Sequence, residues 1–109
     1  MKEILETYYK GFAQKSGWEE TLADDFVFVM NDKEEFVGKA MYLEMYKNFS
    51  LAYQTMRVSR TIIEGENACV IANYDWILPN GETHSTNVVE IWKAENGLLK
   101  ELKTYFNDK

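Results

Sequence analysis

Apolar residues recur along this chain with two different periods, and the switch between them divides it into helical and strand-forming parts. Ile4, Leu5, Tyr8, Tyr9 and Phe12 fall three and four apart, which lines them along one face of an amphipathic helix. Ser16, with Glu19 three positions later, has the form of a capping box and predicts a second, shorter helix that buries Trp18 and Leu22 one turn apart. Leu22-Ala23-Asp24-Asp25 stops that helix. The run from Phe26 to Met30 then has the aromatic and β-branched character of a strand. Asn31 to Val37 is polar and predicts a loop or a short hairpin. After Gly38 the helical period returns, with Met41, Tyr42, Met45, Tyr46 and Phe49 as the stripe of a third helix.

From about Thr55 onward the period is that of strands. Glu64-Gly65-Glu66-Asn67, Pro79-Asn80-Gly81 and Glu95-Asn96-Gly97 punctuate the segment as three turns, the Asn-Gly pairs suiting the positive φ of tight hairpins. The pattern is α+β, with helices first and hairpin-connected strands after, in one domain over 1–109. Alternation separates the faces of the sheet, because a one-residue slip turns every side chain over. Phe26, Phe28 and Met30 share a face, and so do Val70, Ala72, Tyr74 and Trp76. These more aromatic sets are expected inside. Leu102, Thr104 and Phe106 are expected to complete the inner wall.

Composition narrows the function classes. The chain has 109 residues and is 15% aromatic, enough for a core of its own. A net charge of −6, with Arg57 and Arg60 as the only arginines, argues against a nucleic-acid partner. No stretch approaches the roughly 20 apolar residues of a membrane span, and the first residues lack a signal-peptide core, so a cytoplasmic location is expected. Cys69 is alone and His84 is the only histidine, so neither a disulfide nor a metal centre is expected. No cofactor is expected.

The stretch YYKGFAQKSGWEETLADDFVFVMN, with FVGKAMYLEMYKNF, VIANYDWIL and VVEIWKAENGLLKELKTYFND after it, resembles the SnoaL-like branch of the nuclear-transport-factor-2-like superfamily over essentially the whole chain. The resemblance implies a cone-shaped (cystatin-like) fold. In it a strongly curved, mostly antiparallel sheet wraps three N-terminal helices around an apolar pocket. Matched through Gly97, the last hairpin would put Val89 inside and Trp92 outside. The pocket so implied is lined by Tyr8, Phe12, Trp18, Phe28, Met30, Tyr42, Met45, Tyr46, Tyr74, Trp76, Asn87, Val89 and Phe106.

The superfamily includes ketosteroid isomerases, which combine an aspartate base with a tyrosine and a protonated aspartate. The resemblance puts Tyr8 at the tyrosine, Met30 at the base and Val89 at the protonated acid. A thioether cannot take a proton from carbon, and an isopropyl group cannot donate a hydrogen bond, so steroid-type isomerisation is not expected. Dehydratase-like members use paired histidines, whereas this chain has only His84, read as a surface residue beside the Asn80-Gly81 turn. The Asp-Arg-Asp set of epoxide-hydrolase-like members would fall to Asp75 with Arg57 or Arg60, but Asp75 is read on the outer face. A slipped register would instead bring Asp75, Asn73 and Glu90 into the cone with raised pKa values.

Three functions follow. The first is a binding domain for a small apolar molecule, without the known catalytic sets. The second is an enzyme that uses Tyr8 with Asp75 or Glu90. The third is an interaction module without a small ligand. A homodimer is expected through an outer apolar patch of Val27, Val29, Ile71, Val88 and Trp92.

Overall fold

The computed structural model describes residues 1–106, and of residues 48–50, 52 and 54 it describes only the backbone. The predicted place of Phe49 on the third helix's stripe, and Asn107 to Lys109, therefore lie outside the described residues. The chain opens with helix α1 (Lys2–Ala13), which buries Leu5, Tyr8, Tyr9 and Phe12 along the predicted face. Glu3 in its first turn and Lys10 in its last complement the helix dipole.

The predicted second helix is replaced by a single 3-10 turn at Glu19–Thr21. The capping box fails because its donor is already taken. The Ser16 N–H donates to the Gly11 carbonyl at 2.9 Å, while the Glu19 carboxylate accepts from Gly17 N–H at 3.1 Å. Trp18 is nevertheless fully buried, and Leu22 already belongs to a strand. The backbone passes so close to α1 that a Cβ on Gly11 would lie 2.7 Å from Trp18 N and 2.8 Å from Ser16 O. Two helices, rather than three, are present among the described residues.

Strand β1 (Leu22–Met30) turns through Asn31 and Asp32 into β2 (Glu34–Val37). Both turn residues have positive φ, 52° and 57°, and Lys33 N–H closes the turn on the Met30 carbonyl at 3.0 Å. Met30 pairs with Glu34, so the connection has three residues, two of them with the positive φ that tight hairpins need. Helix α2 (Lys39–Ala52) follows, directing Tyr42 inward and leaving Met41 half exposed at the edge of the predicted stripe. Then come β3 (Tyr53–Glu64), β4 (Asn67–Ile77), β5 (Thr83–Glu95) and β6 (Leu98–Tyr105).

The six strands form one sheet in the order β2-β1-β6-β5-β4-β3, antiparallel throughout except where β1 runs parallel to β6. Register breaks between Leu22 and Val27, between Val58 and Arg60, and between Lys93 and Ala94 mark bulges, which bend a sheet locally. Both helices pack on the same face. Tyr8 of α1 meets the Trp92 ring edge-on at 4.6 Å, and Phe26 of β1 lies 5.0 Å from Tyr42 of α2. The core is the aromatic mass between them. Among the described residues no helix is long and apolar enough to cross a membrane.

One predicted register is wrong. In β5 the inward residues are Val88, Glu90, Trp92 and Ala94, all buried, whereas Val89 is half-buried and Ile91 is 43% exposed. The cause lies in β6. Lys93 pairs with Glu101 but Ala94 pairs with Leu99, so Lys100 is an extra residue in the last hairpin. A regular hairpin would set Leu102 and Thr104 opposite Ile91 and Val89; the bulge sets them opposite Trp92 and Glu90. Val88 and Trp92 therefore leave the predicted outer patch, and Val89 and Asn87 leave the predicted pocket.

Candidate functional site

Between the helices and the sheet lies a cavity of about 150 Å³. Its wall takes Phe12 from α1 and Tyr42, Met45 and Tyr46 from α2; β1 and β4 add Phe28, Met30, Tyr74 and Trp76. The far side is Val88 and Glu90 of β5 with Leu102 and Thr104 of β6, and Phe106 follows the strand end. Met30, Met45, Tyr46, Trp76 and Phe106 are only half-buried, which places the mouth at their end. Among the described residues, no Lys, Arg or His contributes to this wall.

Glu90 is the one carboxyl in the wall among the described residues, and it is 3% exposed. Tyr9 Oη donates to its Oε1 at 2.6 Å and Tyr74 Oη approaches Oε2 at 3.4 Å. Tyr9 Oη in turn accepts from Trp92 Nε1 at 2.7 Å, so indole, phenol and carboxyl form one chain. Burial pushes the Glu90 carboxyl up from 4.5 to about 7, and the two phenol donors only partly offset this. At neutral pH the group is divided between its two protonation states. Burial also raises the Tyr8, Tyr9, Tyr42 and Tyr74 phenols well above their ordinary range, so all four are neutral.

Thr104, the cross-strand neighbour of Glu90, is buried, and its Oγ1 has no hydrogen-bond partner among the described residues. Tyr8 and Trp18, predicted as lining residues, stand one layer behind. Tyr8 Oη shares a 2.8 Å hydrogen bond with Tyr42 Oη, and the Trp18 ring packs edge-on against Tyr42 and Tyr46. The predicted pairing of Tyr8 with Asp75 does not form. Asp75 lies on the opposite face, where it accepts from Ser85 Oγ and Thr55 Oγ1, each at 2.5 Å, and from Arg57 at 3.0 Å. These donors hold its carboxyl well below the usual carboxylate range, which makes it a poor base. Arg57 also reaches Asn73, and Asn73 donates to Asn87 at 3.1 Å, completing a polar layer on the outer sheet. His84 is exposed on β5.

Val88 and Glu90 are the wall residues that parity counting through Gly97 set on the outer face. A signal for Glu90 existed: Lys93 and Glu95 share the parity of Val89 and Ile91, and two charges mark that set as the solvent side.

The profile of the SnoaL-like domain family matches residues 5–102. No curated protein sequence matches the chain. Among solved structures, an NTF2-like protein of unknown function from Burkholderia pseudomallei superposes with a TM-score of 0.85 at 19% identity, over 97% of this chain and 89% of that one. A protein from Jannaschia sp. CCS1, provisionally named a SnoaL-like polyketide cyclase, has a TM-score of 0.84 at 16% identity, over 96% and 83%. A protein of ketosteroid-isomerase-like fold from Catenulispora acidiphila, solved in complex with trimethylamine, has a TM-score of 0.83 at 9% identity, over 97% and 86%. At these identities the likeness is one of fold.

Proposed function

Because the chain belongs to the SnoaL-like domain family, we propose that it binds a small, mostly apolar molecule in the cavity between helices and sheet, with Glu90 as the polar anchor. One observation carries this reading: among the described residues, an aromatic cavity of about 150 Å³ has a single carboxyl built into its wall. A dry cavity of about that size accepts a benzene-sized guest. The Catenulispora protein of like fold was solved in complex with trimethylamine, a molecule on the same scale. Phenol is the test molecule. Its titration is expected to shift the methyl resonances of Met30 and Met45 and leave those of Met1 and Met41 in place. Uniform shifts, or none, would reject a pocket.

The near-neutral ionisation of Glu90 favours a second reading, proton transfer to or from the bound molecule. A carbon acid such as 5-nitrobenzisoxazole would then be opened at a rate that rises with pH through about 7. Equal rates in wild type and Glu90→Gln would exclude it.

Pairing of two copies across the outer sheet is a separate proposal. With Val88 and Trp92 inside, its centre becomes Ile71, Val89 and the exposed Ile91, and Val27 and Val29 lie two strands away across Glu101 and Lys103 of β6. Ile91→Glu is expected to yield monomers in sedimentation, and a wild type that is itself monomeric would dispose of the idea.

A further inference from the structure

The geometry points to a narrower class of occupant for this cavity: a small organic cation, an alkylammonium caged by aromatic rings with the Glu90 carboxylate as its counter-charge. This rests on the reading of the cavity as a small-molecule site. Phe12, Phe28, Tyr42, Tyr46, Tyr74 and Trp76 supply ring surface around one small space. The faces of such rings carry the negative side of the π quadrupole and attract cations, most strongly where water is excluded.

The charges around Glu90 agree. The groups that surround it are Tyr8 and Tyr9 from α1, Tyr42 from α2, Tyr74 from β4 and Thr104 from β6, all neutral. When Glu90 ionises, it is a buried negative charge without a positive partner in the cavity wall among the described residues. A buried charge of that kind is costly until it is paired, so a cation is the ligand that gains most from entering. An anion meets the same charge and the same ring faces as repulsion. An ammonium N–H would also find Thr104 Oγ1, which has no partner among the described residues, beside the carboxyl. A neutral carbonyl compound is the competing occupant. It needs Glu90 protonated, as a donor, and so has the opposite dependence on pH.

Three probes of nearly one shape and three charges separate these cases: tetramethylammonium, tert-butanol and pivalate. Their dissociation constants are measured on the intact protein by NMR at about pH 8 and about pH 5.5. Tetramethylammonium is expected to bind at least roughly tenfold more tightly than tert-butanol at the higher pH, with pivalate not bound. With Glu90 titrating at about 7 in the free protein, its affinity should fall roughly 30-fold at the lower pH, while that of tert-butanol stays level. In Glu90→Gln the preference for the cation and its pH dependence should both vanish; a general attraction to this acidic chain would survive that substitution. The wild-type series decides alone if the variant does not fold. Equal or tighter binding of tert-butanol or pivalate at the higher pH overturns the cation assignment. In that case binding of phenol or tert-butanol leaves the pocket reading standing; failure of phenol and all three probes removes both.

Discussion

Replacing Glu90 by Gln should make the protein more stable at pH 8 and change how its stability responds to pH. The carboxyl titrates at 4.5 as a free group and at about 7 in the folded chain, because burial penalises the ionised form. A folded-state pKa above the unfolded value means that the native protein holds the proton more tightly. Glu90 therefore costs nothing below about 4.5, where both states are protonated, and its penalty grows as pH rises towards about 7. Above that the loss levels off at about 3 kcal/mol, at 1.36 kcal/mol per pH unit. The amide of Gln is neutral at every pH and can still accept from Tyr9. Urea unfolding followed by tryptophan fluorescence, at half-unit steps from about pH 5 to 8.5, gives the two curves to subtract. The difference isolates Glu90, since the opposite trend from Asp75, whose lowered pKa makes its contribution fade only as pH drops through the acid range, is common to both proteins. Across that range, wild-type stability falling relative to Gln by about 2.5 kcal/mol, or roughly 10 °C in melting temperature, is the expected result. Parallel curves would refute the reasoning, because they would mean that Glu90 ionises in the folded protein as freely as it does in water.

Two further substitutions probe the frame of the cavity. Thr104→Val keeps the shape and removes a buried hydroxyl that has no partner among the described residues, so the melting temperature of the free protein should rise by a few degrees, on the order of 1 kcal/mol; a fall would show that the hydroxyl is satisfied. Gly11→Ala improves local helix propensity by about 1 kcal/mol but drives a methyl group to 2.7 Å from Trp18 N, which is backbone and cannot swing aside. Overpacking should win, with a net loss of roughly 1–3 kcal/mol in chemical denaturation, and an unchanged or raised stability would contradict the close approach.

How much of this was legible in the sequence depends on the range of the interaction involved. Period and turn chemistry are local, and they place α1, α2, the strands and the hairpins at Gly65, Asn80-Gly81 and Asn96-Gly97. Even so, Asn80-Gly81 is less than its motif suggests, since only Gly81 takes positive φ, at 86°, and its N–H closes the Pro79-Asn80 turn on the Leu78 carbonyl at 2.8 Å. The second helix failed because the Gly11 carbonyl, from the preceding helix, competes for the Ser16 N–H that a capping box needs. The site was half legible. The aromatic side of the cavity follows from alternation in β1 and β4, which run without a break where they line it. The polar side depends on the extra residue Lys100 in β6, and that one residue exchanges Val89 for Glu90. A single bulge therefore decides whether the cavity contains a carboxyl.

The place of β6 in the sheet has a consequence for how the protein is made. This strand lies between β1 and β5, so until Leu98–Tyr105 has been synthesised the strands can form only two fragments, β2-β1 and β5-β4-β3. Met30 pairs with Thr104, more than 70 positions later, and translation at about 5–20 residues per second covers that distance in roughly 4 to 15 s. For that time Phe26 and Phe28, buried in the finished molecule, have no neighbouring strand on the β6 side. The first strand to emerge from the ribosome is thus one of the last to be completed, and the nascent chain, rather than the folded protein, is where this architecture is most exposed to aggregation and most in need of a chaperone.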